Sequence, residues 1–325
     1  MLIKFRKASA VKASEIINKD LYLNRRKFMS AVATLGGATL IPTFAIPSES
    51  GSSRLNNVKK TKWGKSLKLT DLEAITSHNN FYEFLPGRGG PVWKHTGEFK
   101  VQPWKIDVTG ECSKPTTFDL DELLKFEQEE RTYHFRCVER WAMNVPWTGF
   151  PLSKLLMRVE PSNNAKYVKF TSALEHTQMP GVREANWYPW PYEEALRIDE
   201  AMNPLAIIAT GVYGKPLLKQ HGAPARIVVP WKYGYKNPKS IVKIELLSQQ
   251  PKTFWQIQLH EYGFLSNVNP FIPHPRWSQA KSHWLDNDEP FSTPIFNGYE
   301  SYVAELYPDE PRQLQLPLRP GQMAR

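Results

Sequence analysis

Along this 325-residue chain the apolar period changes often and no single period lasts long. Alternation of apolar and polar positions predicts strands at WKIDVTGEC (104–112) and AKYVKFTS (165–172), because successive strand side chains face opposite sides of a sheet. ARIVVPWK (225–232) and SIVKIELLS (240–248), rich in Val and Ile, predict two more. Helical spacing predicts a short helix in LTDLEAITSHNNFYEF (69–84), capped by Thr70 or Asp71 and broken at Asn79–Asn80. Leu120, Leu123 and Leu124 predict a helix across FDLDELLKFEQEERTYHF (118–135), with Asp119 as cap and Tyr133 near its end. GFPLSKLLMRVEP (149–161) predicts another, stopped by Pro161. The stretch 191–214 predicts a short helix followed by a strand, Leu205–Thr210, that runs into glycines.

These short elements mix irregularly. There is no βαβ rhythm, no GxGxxG and no phosphate-loop motif. The expectation is an α+β fold of mixed sheets with short helices, forming one domain over 66–325. The stretch from 250 to the end is proline-rich and predicted mostly irregular.

The N-terminus reads differently. NRRKFM (24–29) precedes an apolar run of small residues, SAVATLGGATLIPTFA, that ends at Ala45. Arg25-Arg26 with Phe28 resembles a twin-arginine export signal, which makes 1–45 a signal peptide and the twin-arginine translocase a partner. That route carries folded chains, so it hints at a cofactor inserted before export. The polar stretch 46–65 is expected as a linker or N-terminal arm. Net charge, +10 overall, suggests nucleic acid until the leader is removed. Residues 1–45 hold eight basic and two acidic residues, so 34 basic and 30 acidic residues are left, a mild +4.

Only two cysteines occur, Cys112 and Cys137, which excludes a disulfide-rich scaffold. Cys137 sits with His134, Arg136, Glu139 and Arg140 in YHFRCVERWAMNVPWTG. It can be a buried thiol, half of a Cys112–Cys137 disulfide, or a soft ligand for a redox metal. No CxxC exists to build a cysteine-based cluster, and the eight histidines show no metal-ligand spacing, so most read as surface or hydrogen-bonding residues. The segment KQHGAPARIVVPWKYGYKNPKSI (219–241) gathers Lys219, Arg226, Lys232, Lys236 and Lys239 with Trp231, Tyr233 and Tyr235. It reads as a solvated basic hairpin, a single-strand nucleic-acid surface, or a nest for a planar ligand with a phosphate tail.

Five blocks, RCVERWAMNVPWTGFPL, GVYGKP, HGAPARIVVPWKYGYKNPKSI, EYGFLSNVNP and HPRWSQA, together resemble the sulfite-oxidase-fold molybdopterin family. Within it the match is to the bacterial protein-methionine-sulfoxide reductase catalytic subunits, from about residue 66 to the end. The resemblance implies Mo-molybdopterin as cofactor, with Cys137 as the one protein ligand to the metal beside the two sulfurs of the pterin. It also implies pterin contacts at Asn79, Tyr82, Glu83 and Ser172. Its phosphate is expected at His221, Arg226 and the loop Asn237, Pro238 and Lys239.

The activity that the resemblance implies is oxygen-atom transfer: a methionine sulfoxide in an oxidised periplasmic protein becomes methionine, a repair reaction, as two electrons and two protons release water. Electrons are expected from a haem-containing inner-membrane subunit fed by the quinone pool. With no dimerisation or haem domain in recognisable form, the catalytic subunit is expected as a monomer. Glu139 is a candidate for proton or solvent contacts at the metal, or else a salt bridge to Arg136 or Arg140. Tyr235 and Trp277 are candidates for the pocket wall. Two other readings stand: sulfite oxidation, which wants an arginine cluster for a dianion, and a metal-free anion- or nucleic-acid-binding module built on the 219–241 cations.

Overall fold

The computed structural model describes residue 55, residues 57–259 and residues 261–315, except for the Arg88 side chain. The expected signal peptide 1–45 and residues 46–54 of the expected arm lie outside the described residues.

The first half of the chain supplies strands β1 (Lys59–Lys60), β2 (Asn79–Phe81), β3 (Leu85–Gly90), β4 (Lys105–Gly110), β5 (Thr116–Asp119), β6 (Glu129–Arg136) and β7 (Trp141–Pro151). The second half adds β8 (Tyr167–Ser172), β9 (Glu193–Arg197), β10 (Ile207–Val212), β11 (Lys215–Pro216), β12 (Arg226–Val228), β13 (Ile241–Leu247), β14 (Lys281–Trp284) and β15 (Pro290–Ser292). One eight-stranded sheet runs β1-β6-β7-β10-β11, with β12 also on β10 and β14, paired to β15, also on β7. A five-stranded sheet runs β5-β4-β13-β8-β9, and β2-β3 form a separate hairpin. Parallel pairs (β1–β6, β4–β13, β7–β14) mix with antiparallel ones, as an α+β fold of mixed sheets requires.

Helices are short and lie at the ends of strands. The first, α1 (Leu72–Ser77), stops where the Asn pair begins β2. Asp119 caps α2 (Leu120–Leu124) through a capping box with Glu122, as its side chain predicts. The best amphipathic pattern belongs to α3 (Leu152–Val159), whose Leu152, Leu155, Leu156 and Val159 are all buried.

Several elements differ from the sequence-based expectation; the strand expected over 225–232 shrinks to β12, Arg226–Val228. The helix predicted over 118–135 covers only α2; its second half is β6, with alternating burial from Glu129 to Tyr133. Charged residues at inward positions hid that alternation: Arg131 points inward and is neutralised by Glu129 at 2.7 Å and bonded to the Tyr133 hydroxyl at 2.9 Å. The helix expected from 191 is preceded by β9 and shrinks to Ile198–Met202. The eleven buried residues of β7 form a strand that the apolar pattern does not predict, because a strand covered on both faces shows no alternation.

The expected linker or arm is a held arm over its described C-terminal part. Lys59–Lys60 pair with Glu129–Glu130, and the Trp63 carbonyl accepts from the Thr132 N–H. On the other side of the eight-stranded sheet, β7 packs so closely on β10 that a Cβ at Gly149 would stand 2.1 Å from the Ile208 carbonyl oxygen. Gly149→Ala is therefore expected to cost about 1–3 kcal/mol or more by overpacking. Thermal unfolding checks this; an unchanged melting temperature would show that the strands can separate without cost.

Candidate active site

Strands β6 and β7 are joined by the four residues Cys137-Val138-Glu139-Arg140. The turn is closed by the Cys137 N–H donating to the Trp141 carbonyl (3.0 Å) and the Arg140 N–H donating to the Cys137 carbonyl (3.0 Å), with Arg140 at φ 79. Cys137 is 7% exposed, at the tip of this hairpin, on the wall of a cavity of about 510 Å³. Burial, and then the neighbouring Glu139 carboxylate, push its thiol up to about 12 in the absence of any metal.

Around the sulfur the polar groups are few and ordered. Asn80 Nδ2 lies 3.5 Å from Cys137 Sγ and donates to Glu139 Oε2 at 2.9 Å, and Trp141 Nε1 donates to the same oxygen at 3.2 Å. Glu139 thus faces the sulfur, and the alternative salt bridge to Arg136 or Arg140 does not form. Arg136 is fully buried and bonds instead to Ser282 Oγ at 2.7 Å and to the Cys137 carbonyl at 3.2 Å. Both cysteines are free thiols. Among the described residues no cluster of three His, Cys, Asp or Glu side chains could hold a metal by itself.

Eleven of the thirteen predicted site residues line this cavity. The hairpin brings Cys137 and Glu139; β2 and the turn after it bring Asn79, Tyr82 and Glu83. Arg226 comes from β12, and Tyr235, Asn237, Pro238 and Lys239 from the loop beyond it. Trp277 is held at the wall by donating its indole N–H to the Val138 carbonyl at 3.0 Å. Ser172 and His221 do not line the cavity; each is buried beside it with an unpartnered polar atom, Ser172 Oγ and His221 Nδ1. The histidines divide as surface or hydrogen-bonding residues should: His95 and His176 are exposed, whereas His134, His221 and His274 are buried and hydrogen-bonded.

The cations of 219–241 divide into two groups, which corrects the reading of the whole segment as one anion nest. Lys232 is paired with Glu200 at 2.7 Å and Lys236 with Glu194 at 2.6 Å, all four side chains at most 1% exposed. Two other cations reach the cavity. Among the described residues Arg226 bonds only to carbonyls, of His221 (2.9 Å), Ile227 (3.4 Å) and Asn237 (3.3 Å), and burial brings it down to about 9. Lys239 has no carboxylate within ion-pair distance among the described residues; burial and the nearby Arg226 bring it down to about 7, while burial raises Glu83 to about 7. His221 lends Nε2 to the Ile75 carbonyl at 3.0 Å, and burial pulls it down to about 4. Its Nδ1 therefore accepts a hydrogen bond, and donates to an anion only when the ring takes a proton.

Sequence reasoning missed part of the wall. Tyr188, Trp255, Tyr262 and Arg276 also line the cavity, and edge contacts chain Tyr82 to Trp255 (5.0 Å) and Trp255 to Tyr262 (5.6 Å). Tyr262 and Arg276 stand inside EYGFLSNVNP and HPRWSQA, so their presence was legible; Tyr188 and Trp255 carried no signal beyond being aromatic. Asn80, next to the expected Asn79, also lines the cavity and is the one that reaches Cys137.

A family model described as the oxidoreductase molybdopterin binding domain matches residues 93–255. Relatives named protein-methionine-sulfoxide reductase catalytic subunit MsrP are 44% identical in Pseudomonas syringae pv. tomato and in Xanthomonas axonopodis pv. citri. Each match covers 94% of this chain and 97% of the relative. The chain belongs to the family of molybdopterin-binding protein-methionine-sulfoxide reductase catalytic subunits. A further member from Burkholderia mallei is 43% identical over 90% of this chain and 92% of its own. Among solved structures, the sulfane dehydrogenase SoxCD of Paracoccus pantotrophus is similar over 74% of this chain and 61% of that chain, with 19% identity and a TM-score of 0.43.

The residues present fit a ligand of the family's kind. An anionic tail would meet Arg226 and Lys239, which lack carboxylate partners, and polar ring edges would meet the bare atoms of Asn79, Ser172 and His221. Lone buried polar groups like these are costly unless something bonds to them. The two groups of cations should separate by mutation. Lys232→Met strands Glu200 in the core and is expected to cost about 3–5 kcal/mol. Lys239→Met, in cofactor-free protein, is expected to stay within about 1 kcal/mol of the parent. Thermal unfolding of both variants checks the contrast, and equal losses would refute it.

Proposed function

We propose that this chain reduces methionine sulfoxide in oxidised proteins, using a molybdenum–molybdopterin cofactor whose metal takes its single protein ligand from Cys137. The observation that carries the reading is the setting of that sulfur. Among the described residues it is the one thiol on the cavity wall, fixed by a closed hairpin turn, with Arg226 and Lys239, neither in an ion pair with a carboxylate, on the same cavity. Family membership supplies the substrate: the relatives at 44% identity are named for this reaction.

In this reading Arg226 and the loop Asn237, Pro238 and Lys239 hold the phosphate, while Asn79, Tyr82, Glu83 and Ser172 hold the pterin; His221, expected at the phosphate, meets it only when its ring is protonated. When bound in its reduced state, the cofactor would supply the two electrons and take up the sulfoxide oxygen atom. The protein does the rest. Glu139, bonded by Asn80 and Trp141, keeps a proton-accepting oxygen 3.8 Å from the sulfur ligand, where it can serve the two protons that the reaction consumes. Tyr235, Tyr262 and Trp277 present ring faces and edges to a thioether-sized group. Tyr235 is fixed through its hydroxyl to Ser266, and Trp277 by stacking on His274 at 3.8 Å. A neutral sulfoxide needs no cluster of free arginines. Arg276 at the cavity is neutralised by Glu261 at 3.0 Å, which favours the sulfoxide over sulfite.

The same reading makes the chain an exported, periplasmic catalytic subunit, with a twin-arginine leader over 1–45, an arm over 46–65 and the catalytic domain over 66–325. Its electrons come from a haem-bearing inner-membrane subunit. Among the described residues no helix is long and apolar enough to cross a membrane. A nucleic-acid role finds no support, since Lys232 and Lys236 are buried in ion pairs.

Cys137→Ser offers a harder, largely protonated oxygen in place of a soft anion. The variant is expected to fold, and to lose nearly all methyl-viologen-driven reduction of methionine sulfoxide. Cys112→Ser should keep most of it. About one molybdenum per parent chain by elemental analysis is the companion result. Near-parental turnover by Cys137→Ser would remove Cys137 as the metal ligand, and rapid sulfite oxidation without sulfoxide reduction would overturn the substrate.

A further inference from the structure

Lys236 sits in the turn Gly234–Lys236, between Tyr235 and the cavity-lining residues Asn237, Pro238 and Lys239. Its own side chain does not line the cavity. It is fully buried and reaches Glu194 Oε2 at 2.6 Å. Glu194 lies on β9, in the five-stranded sheet, whereas the turn follows β12 of the eight-stranded sheet. The loop runs from β12 into β13 (Ile241–Leu247) of that same five-stranded sheet, so the pair pins it by a side chain to the sheet it is about to enter. We propose that the Lys236–Glu194 ion pair is a positioning device that sets the loop 237–239 against the cofactor phosphate.

Three observations lead there. First, the pair is poorly suited to a role in stability alone. Buried ion pairs are often no more stabilising than apolar side chains of the same volume, and Glu194 Oε1 is left buried without a hydrogen bond. What such a pair does provide is direction, because a charged hydrogen bond constrains angle and distance where an apolar contact does not. Second, the neighbouring bonds serve the same loop. The Tyr192 hydroxyl donates to the Tyr235 carbonyl at 2.7 Å, and Trp255 Nε1 donates to that hydroxyl at 3.1 Å. Third, the residues just past Lys236 are clamped from the other side: Asn237 Oδ1 accepts from the Val229 N–H at 2.5 Å, and the Asn237 carbonyl accepts from Arg226 at 3.3 Å. Lys236 and Glu194 touch no ligand themselves; they act through the backbone that does. The inference rests on the cofactor reading of the site.

The test is the full chain carrying Glu194→Leu with Lys236→Met, which replaces the pair by apolar groups and strands neither charge. Two quantities are read: the rate at which purified holoprotein releases molybdenum and pterin, and the melting temperature of the same chain made in cells that lack the cofactor. The expected result is release about 10–100-fold faster than the parent, the range typical for lost supports of a bound metal group, with the cofactor-free melting temperature unchanged or raised. Lys236→Arg, which keeps a cation on Glu194, should restore most of the retention. Release at the parental rate by the double variant would overturn the proposal. So would a clear fall in the cofactor-free melting temperature, which would make the pair part of the fold only. A parent chain that carries neither molybdenum nor pterin would sink the cofactor reading itself, and the pair's role with it.

Discussion

The Cys137 N–H closes on the Trp141 carbonyl at 3.0 Å, and the site is built outward from that turn. As the proposed metal ligand, a lone thiol would have no second protein ligand to correct its position, so its backbone would have to be rigid. Rigidity comes from both strands of the hairpin. All of β7 is buried between β6 and β10, with β14 beside it, so the turn emerges from the middle of a sheet instead of an edge. Gly149 is needed within β7 because the Ile208 carbonyl leaves no room for a side chain. One turn thus depends on close strand packing some ten residues away.

Charge is the second organising constraint. Burying a cation is tolerable only when something answers it. Lys232 and Lys236 are answered by Glu200 and Glu194, so they serve the protein's own architecture. Among the described residues Arg226 is answered by carbonyls and the rings of Trp147 and Phe135, and Lys239 by the nearby Glu83 and the Phe81 ring without an ion pair, and burial pulls both below their ordinary range. In the proposed reading these two cations face the ligand, since both line the cavity and neither forms an ion pair with a carboxylate among the described residues. The same segment therefore carries two structural cations, Lys232 and Lys236, between two that line the cavity, Arg226 and Lys239.

Aromatic side chains supply the remaining surface of the cavity. They contribute area without much conformational entropy, and here they are fixed by polar handles: Trp277 to Val138, Tyr192 to Tyr235, Trp255 to Tyr192. Such a wall accepts many flanking chemistries while holding one small group in place, which suits a reaction centre that must accept methionine sulfoxide in varied protein surroundings.

Much of this was written in the chain. Alternation at 104–112 and 165–172 became β4 and β8, the β-branched stretch 240–248 became β13, and the spacing of Leu152, Leu155, Leu156 and Val159 became the buried face of α3. Five separated blocks carried the family, and the cysteine among them marked where chemistry would concentrate. These features are local: a period or a motif can be read within ten or twenty residues. The tertiary structure alone decided the rest. Glu129 and Arg131 read as a polar helix face until they were seen to neutralise each other inside β6. Four lysines and an arginine looked equivalent until Glu194 and Glu200, distant in sequence, claimed two of them. Whether a charge is free depends on what lies across the fold, and that pairing leaves no trace in the residues on either side.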